Sequence, residues 1–248
     1  RRAGFVCSRP NPRAALRLFC FPYAGGALPV FRGWADGLLP TLEVWPAQLP
    51  GRGARINERP FTRMKPLVDS LAGEIIPLLD RPSAFFGHSL GALAAFELAR
   101  ELRRAGQPEP VHLFLSACAA PHLPAARPPI HALPEAEFLA ELRRLNGTPA
   151  SLLENDELMR LMLPALRADF AVRETYHYRP EPPLDCPLSA FGGSQDARVS
   201  REALEGWRQH TTGAFSLQMF AGDHFFLHTP GGRALVLEAI SQVMTQED

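Results

Sequence analysis

Apolar residues in this chain are grouped in short runs, which alternate with longer segments of mixed polarity. The runs predict six strands, at 16–21, 42–48, 83–87, 112–117, 188–193 and 216–221. The segments between and after them predict helices near 65–79, 90–105, 200–210 and 231–245. The strand runs are apolar at successive positions, which is typical of strands buried on both faces. This alternation predicts an α/β fold with a mostly parallel, doubly wound sheet.

Residues 121–183 interrupt the alternation. Both ends of this segment are rich in proline, and two helical stretches lie between them without a strand. The first stretch opens at Pro134 and closes at Gly147, which are typical start and stop signals, and we expect Pro164 to kink or divide the second. Such insertions commonly cover the carboxyl edge of the sheet, where open α/β folds bind ligands. We expect one domain, 1–248, with a lid at about 121–183; a second packing layer is the alternative.

Composition excludes several classes of protein. The 26 basic and 26 acidic residues balance, so the chain lacks the charge expected of a nucleic-acid-binding protein. No apolar run approaches the ~20 residues that span a bilayer, and residues 1–18 lack the uncharged core of a signal peptide. The four cysteines form no metal-ligand spacing, and three of them are interpreted as buried thiols. We therefore expect a cytoplasmic protein that binds no nucleic acid, membrane or metal.

The motif G-x-S-x-G occupies residues 87–91, between a predicted strand and a predicted helix. This is the context of a nucleophile elbow, in which the serine has a strained backbone and the glycines leave room for neighbouring turns. The helix N-terminus would direct free amides and a partial positive charge at the reacting group. The sequence therefore predicts that Ser89 is a nucleophile.

A serine nucleophile needs a base, and the base needs an acid that orients it. Asp196 follows the strand at 188–193, and His224 follows the strand at 216–221. With Ser89, these residues occur in the chain order of the α/β-hydrolases, at the ends of three strands. We predict a catalytic triad of Ser89, Asp196 and His224, and we expect Asp196 to raise the pKa of His224.

Three further residues compete for these roles. Asp185 precedes its strand and should lie at the opposite end of the sheet. Asp223 is adjacent to His224 and could orient it only through an awkward local geometry. His228 lies one helical turn beyond His224, and we interpret it as a packed or exposed side chain.

The tetrahedral intermediate of acyl transfer needs hydrogen-bond donors for its oxyanion. One is the backbone N–H of the residue after the nucleophile, here Leu90. The second is expected from the loop after the first strand, "PYAGG" at 22–26, whose paired glycines suit a close backbone approach. We select the amide of Ala24, although an ordinary glycine-rich turn remains the alternative.

The segments "RLFCFPYAGG", "LPGRGAR", "FFGHSLGALAAFELAR", "GGSQD" and "AGDHFFL" together resemble the type II, or external, thioesterases of nonribosomal peptide and polyketide synthase clusters. The resemblance extends from about residue 14 to the final helix. It implies an α/β-hydrolase fold, and it implies that Ser89, Asp196 and His224 are catalytic and that the insertion is a helical lid. It also implies hydrolysis of stalled or misprimed acyl groups from the phosphopantetheine arm of carrier proteins, with no cofactor of the enzyme itself. We expect a monomer.

The family resemblance leaves some positions and alternatives open. Tyr23 and Leu90 stand where relatives often carry His and Met, but only backbone amides are needed there. The Pro-Gly-Arg-Gly sequence at 50–53 also matches the family; the resemblance assigns it no role, and a tight surface turn is the simpler interpretation. Arg100, Arg103 and Arg104 are interpreted as a solvated helix face, and contact with an acidic carrier surface is the alternative. Alternatives to the editing enzyme are a releasing thioesterase domain of a synthase, an esterase of free lipids, and a catalytically silent module on the same fold.

Overall fold

Six parallel strands form the sheet in the computed structural model, which describes residues 4–38, 42–125, 127–147 and 153–246. They are β1 (Leu16–Phe21), β2 (Leu42–Pro46), β3 (Ser83–His88), β4 (His112–Ser116), β5 (Leu188–Gly193) and β6 (Phe215–Phe220). Their order across the sheet is β2-β1-β3-β4-β5-β6. All six predicted strands are found within two residues of their expected ends, and the predicted parallel α/β fold is confirmed.

Seven α-helices occur within the described ranges. They are α1 (Trp34–Leu38), α2 (Met64–Ile75), α3 (Leu90–Arg104), α4 (Glu135–Leu145), α5 (Asp156–Glu174), α6 (Arg201–Glu205) and α7 (Pro230–Gln246). Short 3₁₀ turns at Ile76–Leu78 and Gly206–His210 follow α2 and α6. The helices predicted from the sequence are therefore present, and α1 is an additional short helix that the pattern did not indicate.

The core lies on both faces of the sheet, because the central strands β3, β4 and β5 are buried at every position and mostly apolar. On one face, α2 and α3 pack against strand residues that include Phe19, Phe85 and Leu113. On the other face, α1 and α7 pack against residues that include Phe86 and Phe114. Burying a side chain of this size contributes roughly 1.5–3 kcal/mol relative to leaving it exposed. The sheet is therefore doubly wound, and its faces are closed to ligands.

The carboxyl ends of the strands remain available for a site. The strand order reverses between β1 and β3, where Phe21 pairs with Gly87, so the segments that follow these two strands meet. Gly193 of β5 pairs with Phe220 of β6 in the same way. This arrangement positions the four segments that carry the predicted site residues at one edge, the usual ligand-binding place in open α/β sheets.

Between β4 and β5, the described part of the insertion contains α4 and α5 and no strand of the sheet. Phe138 and Leu142 of α4 pack with Leu163 and Leu166 of α5 in a small apolar cluster of their own. Residues 126 and 148–152 of the predicted lid lie outside the described residues. The insertion is thus a helical unit with its own core.

Of the two outcomes expected at Pro164, a kink or a division, the division does not occur, because α5 runs from Asp156 to Glu174 through Pro164. Pro164 is exposed, whereas Leu163 and Leu166 beside it are buried against α4. Proline removes one helical hydrogen bond, but the packing of one apolar face supplies most of the stability of a helix in a protein.

The interpretation of Arg100, Arg103 and Arg104 as a solvated helix face is wrong for Arg100, which is buried, whereas Arg103 is half-buried and Arg104 is exposed. Arg100 is 2% exposed and forms ion pairs with Glu97 at 2.5 Å and with Glu181 at 2.9 Å. Arg103 and Arg104 also pair with Glu181. These contacts attach the end of the insertion to α3.

The four cysteines differ in burial. Cys20, Cys118 and Cys186 are buried free thiols, as predicted, and Cys7 is half-buried. Among the described residues, every helix is too short or too polar to cross a bilayer.

Candidate active site

Ser89 lies in the turn between β3 and α3 with a backbone φ of 54° and ψ of −114°. A positive φ is unfavourable for a residue with a side chain and costs of order 1–3 kcal/mol. The turn is held by a hydrogen bond of 2.8 Å from the N–H of Ser89 to the carbonyl of Ser116 on β4. The observed geometry is that of the predicted elbow, and Ser89 lines a cavity at this end of the sheet.

The two glycines of the motif are required by close backbone approach. A Cβ atom at Gly87 would lie 2.3 Å from the carbonyl oxygen of Gly91, and one at Gly91 would lie 2.1 Å from the carbonyl oxygen of Phe21. Both distances are shorter than any van der Waals contact, and the obstructing atoms are backbone. Side chains at these positions would push α3 away from β1 and β3. The spacing in the motif therefore follows from packing at the elbow.

Asp196 and His224 are brought together although they follow different strands. The Nδ1 atom of His224 donates a hydrogen bond of 2.7 Å to Oδ2 of Asp196. Oδ1 of Asp196 accepts hydrogen bonds from the backbone N–H groups of Arg198 at 2.8 Å and Val199 at 3.3 Å. These contacts fix both the carboxylate and the imidazole ring, and the Nε2 lone pair of a neutral His224 is left as a proton acceptor.

The competing residues lie elsewhere. Asp185 precedes β5, and its carboxylate accepts a hydrogen bond from the Thr212 hydroxyl at 2.7 Å. Asp223 is exposed, and its Oδ1 accepts the N–H of Phe225 at 2.8 Å. The ring of His228 stands 5.4 Å from that of Tyr23. In the described contacts, neither aspartate bonds to a histidine ring.

The electrostatic environment of His224 differs from the sequence-based expectation. Burial lowers its pKa, and this effect exceeds the opposing influence of the hydrogen bond to Asp196; the charges of Arg198 and Arg173 lower it further. Asp196 does raise the pKa of His224, as expected, but burial outweighs it, so the pKa lies below its ordinary value and not above it. Burial alone would raise the pKa of Asp196, but the hydrogen bonds from His224 and two backbone amides outweigh it and lower the pKa. The pair is a carboxylate and a neutral imidazole at pH 7.

This environment predicts the pH dependence of turnover. Because only neutral His224 accepts a proton and its pKa is lowered, kcat/KM should rise with pH through an inflection below the reference value of ~6.5. A pH–rate profile on a small activated ester, from acidic to neutral pH, measures the inflection. An inflection above ~6.5 would contradict the dominance of burial.

His88 was not selected from the sequence, but its hydrogen bonds hold the loop that carries His224 in place. It is fully buried, and its Nε2 lies 2.9 Å from the backbone carbonyl of His224 while its Nδ1 lies 2.9 Å from the Ser116 hydroxyl. Burial holds its pKa well below the ordinary value, so it is neutral, and the carbonyl acceptor requires the proton on Nε2. His88 thus ties the His224 loop to β3. The signal in the sequence was a polar residue at the end of an apolar strand run.

A cavity of about 650 Å³ opens above the elbow. Ser89 and His224 line its floor, together with Tyr23 and Ala24 of the loop after β1. Most of the remaining wall comes from residues 121–183, and it is largely apolar; its members include Leu133, Leu142, Leu166, Phe170 and Tyr176. The insertion therefore covers the space into which Ser89 opens. A volume of this size lies within the range of about 300–1,000 Å³ that is usual for small-molecule pockets.

The two amides proposed for an oxyanion belong to adjacent segments. Leu90 is the first residue of α3, and Ala24 lies in the loop after β1, the strand that pairs with β3. Ala24 lines the same cavity as Ser89. Tyr23 packs edge-on against the rings of His88 and Phe225, so its side chain forms part of the wall of the cavity.

The turn at 50–53 is not a surface turn. Arg52 is 8% exposed and forms a buried ion pair with Asp169 of α5 at 2.7 Å.

Among the described residues, no three His, Cys, Asp or Glu side chains lie close enough to hold a metal ion.

The fold and these contacts define a hydrolase of the α/β-hydrolase type, and comparison with known proteins specifies it. Residues 16–243 match the family described as "Thioesterase domain". The gramicidin S biosynthesis protein GrsT of Aneurinibacillus migulanus is 47% identical over 224 residues, which is 90% of this chain and 88% of GrsT. The chain belongs to the thioesterase family, and it is a thioester hydrolase.

Solved structures agree with this assignment. The RedJ thioesterase from the prodiginine pathway of Streptomyces coelicolor superimposes with a TM-score of 0.89 at 41% identity, over 96% of this chain and 94% of RedJ. YbtT, a type II thioesterase from the yersiniabactin pathway, gives a TM-score of 0.82 at 33% identity, over 98% and 96% of the two chains. The resemblance to type II thioesterases stated from the sequence motifs is confirmed.

Proposed function

We propose that this protein removes acyl groups from the phosphopantetheine arm of carrier proteins in nonribosomal peptide or polyketide biosynthesis, through an acyl-Ser89 intermediate. The observation that carries the proposal is the combination of a strained Ser89 and a hydrogen-bonded Asp196–His224 pair at one end of a largely apolar cavity. We further propose that residues 121–183 act as a lid and that the protein works in the cytoplasm as a monomer without a cofactor of its own.

The proposed chemistry has two halves. In the first, the Ser89 Oγ attacks the thioester carbonyl while its proton passes to Nε2 of His224, and the N–H groups of Ala24 and Leu90 stabilise the oxyanion. Collapse of this intermediate breaks the carbon–sulfur bond, and the protonated His224 returns its proton to the departing pantetheine sulfur. In the second half, water attacks the acyl-Ser89 ester, with His224 again as base and then as acid, and the carboxylic acid leaves.

The role of Asp196 follows from its hydrogen bonds. By accepting the Nδ1–H of His224 it selects the tautomer whose Nε2 accepts a proton, and its charge stabilises the imidazolium that forms. Its low pKa keeps it ionised while His224 cycles.

The cavity supports an acyl-pantetheine substrate. Its apolar wall suits an acyl chain. The lining also has a net positive charge, because four arginines (Arg127, Arg144, Arg173 and Arg198) outnumber two glutamates (Glu141 and Glu174). Such charge suits the phosphate of a pantetheine arm. GrsT is matched over 88% of its length, whereas the synthetase AmbE of Pseudomonas aeruginosa is matched over only 10% of its length at 38% identity. GrsT is also the more similar of the two, at 47% against 38% identity over the same share of this chain, which favours an editing enzyme over a releasing domain of a synthase.

The test compares donors that carry the same acyl chain. Hydrolysis should be faster from a carrier protein than from coenzyme A, because the added binding energy lies remote from the reacting carbon, and each ~1.4 kcal/mol realised in the transition state gives tenfold in kcat/KM. The measurement is kcat/KM on matched carrier, coenzyme A and carboxylic ester substrates. Equal values for carrier and coenzyme A would remove the claim of carrier recognition, and preference for the plain ester would favour an esterase of free lipids.

A further inference from the structure

A buried ion pair joins the turn after β2 to the insertion. Nη1 and Nη2 of Arg52 donate to Oδ2 and Oδ1 of Asp169, both at 2.7 Å, in a two-pronged arrangement. The side chains are 9% and 5% exposed. Bidentate pairs of this kind fix geometry as well as charge. The contact therefore holds α5 at a defined place against the core of the protein.

The loop that carries Ala24 is the third member of this cluster. The N–H of Gly25 donates to Oδ2 of Asp169 at 2.7 Å, and Nη1 of Arg52 donates to the carbonyl of Gly26 at 3.0 Å. Both ends of the ion pair thus bind the backbone of the loop after β1. The loop is fixed by one residue from the insertion and one from the turn at 50–53.

These bonds determine where the Ala24 amide points. The N–H of Gly26 donates to the carbonyl of Tyr23 at 2.8 Å, and this carbonyl belongs to the same planar peptide unit as the N–H of Ala24. The Gly25 N–H, one Cα further along, is fixed by Asp169. With the peptide units on both sides of its Cα anchored, Ala24 has little freedom to rotate.

We propose that Asp169 is a positioning residue for the oxyanion donor Ala24, acting through Gly25 and with Arg52 as its partner. This inference rests on the proposed function, because it takes the Ala24 amide as a donor to the oxyanion. The insertion then contributes to the position of a catalytic amide as well as to the wall of the cavity. Through Asp169, α5 supplies an acceptor that the catalytic loop needs.

A purely structural ion pair is the competing explanation, and single substitutions would not separate the two. Removing one partner leaves an uncompensated buried charge, whereas replacing both partners by apolar residues of similar size is often tolerated. The informative variant is therefore Arg52→Met/Asp169→Leu, which removes both charges and the acceptor for Gly25. Its matched partner is Arg52→Gln/Asp169→Asn, which removes both charges but keeps a side-chain oxygen that can accept the Gly25 N–H.

The experiment measures kcat and KM on a small p-nitrophenyl ester, and the Ki of a trifluoromethyl ketone whose adduct with Ser89 resembles the tetrahedral intermediate. For Arg52→Met/Asp169→Leu we expect kcat to fall about 10²-fold, the effect of losing one oxyanion donor, with KM nearly unchanged. The Ki should rise in parallel, since the ketone adduct needs the same donor. Arg52→Gln/Asp169→Asn should retain most of the wild-type kcat. In both variants the pH inflection set by His224 should stay at its wild-type position.

Arg167→Gln is the control within the same helix. Arg167 donates to the carbonyls of His131 and Leu133 inside the insertion and is bonded to neither Arg52 nor the loop after β1. This variant should retain kcat within about threefold, as is usual for changes away from special features. Circular dichroism melting of each variant establishes that it is folded at the assay temperature.

A folded Arg52→Met/Asp169→Leu protein (the apolar pair) with wild-type kcat and Ki would overturn the proposal. Equal losses of kcat in this variant and in Arg52→Gln/Asp169→Asn (the polar pair) would overturn it as well. If the apolar pair does not fold, Arg52→Gln/Asp169→Ser replaces it, because it leaves no buried charge and its short serine side chain cannot span to Gly25; unchanged kcat there also overturns the proposal. Failure of the proposed function has a different signature, which is full ester turnover in Ser89→Ala.

Discussion

Ser89→Ala is expected to lower turnover by a factor of ~10⁴ or more, because loss of any triad member removes the nucleophilic path as a whole. The fold should be retained. The positive φ of Ser89 is maintained by its N–H bond to the Ser116 carbonyl and by the glycine contacts of the elbow, none of which uses the hydroxyl. Steady-state hydrolysis of an acyl thioester and a melting curve together measure the effect.

The control for Ser89→Ala is covalent labelling. A fluorophosphonate should add to Ser89 in the wild-type protein, and mass spectrometry of the peptide should find no adduct in the variant. Near-normal turnover in a variant that is not labelled would end the assignment of Ser89 as nucleophile.

Asp196→Asn is expected to lower kcat about 10⁴-fold with little effect on folding. Oδ1 of Asp196 accepts two backbone N–H groups, so the oxygen of an asparagine would remain there and its amino group would face Nδ1 of His224. That amino group can only donate, which forces the proton of a neutral His224 onto Nε2. The imidazole would then present an N–H to Ser89 where a lone pair is required. The measurement is kcat on a thioester at neutral pH.

Asp223→Asn is the matched control, since it changes the neighbouring aspartate in the same way. Asp223 is exposed and binds only the N–H of Phe225 in the described contacts, so its substitution should alter kcat by less than about threefold. A large loss in Asp223→Asn with a small loss in Asp196→Asn would reverse the two roles.

Local patterns in the sequence were sufficient for the fold and for the order of the candidate residues. Continuous apolar runs predicted the strands because both faces of a doubly wound sheet are buried. Ser89 could be selected because the elbow needs glycine at two fixed offsets, and Asp196 and His224 because each follows a strand within a few residues. These signals lie within a few residues along the chain, where spacing has a direct steric meaning.

The tertiary structure decided what depends on residues far apart in sequence. Arg52 and Asp169 are separated by 117 positions and Arg100 and Glu181 by 81, so nothing local could show that these arginines are buried and paired. The same applies to His88, whose partner His224 comes from another strand end. The direction in which the His224 pKa shifts was mispredicted, because it depends on a balance between burial of the ring, which lowers the pKa, and the contact with Asp196, which raises it. The sequence determined which groups lie at the sheet edge, and only the tertiary structure determined how deeply each of them is buried.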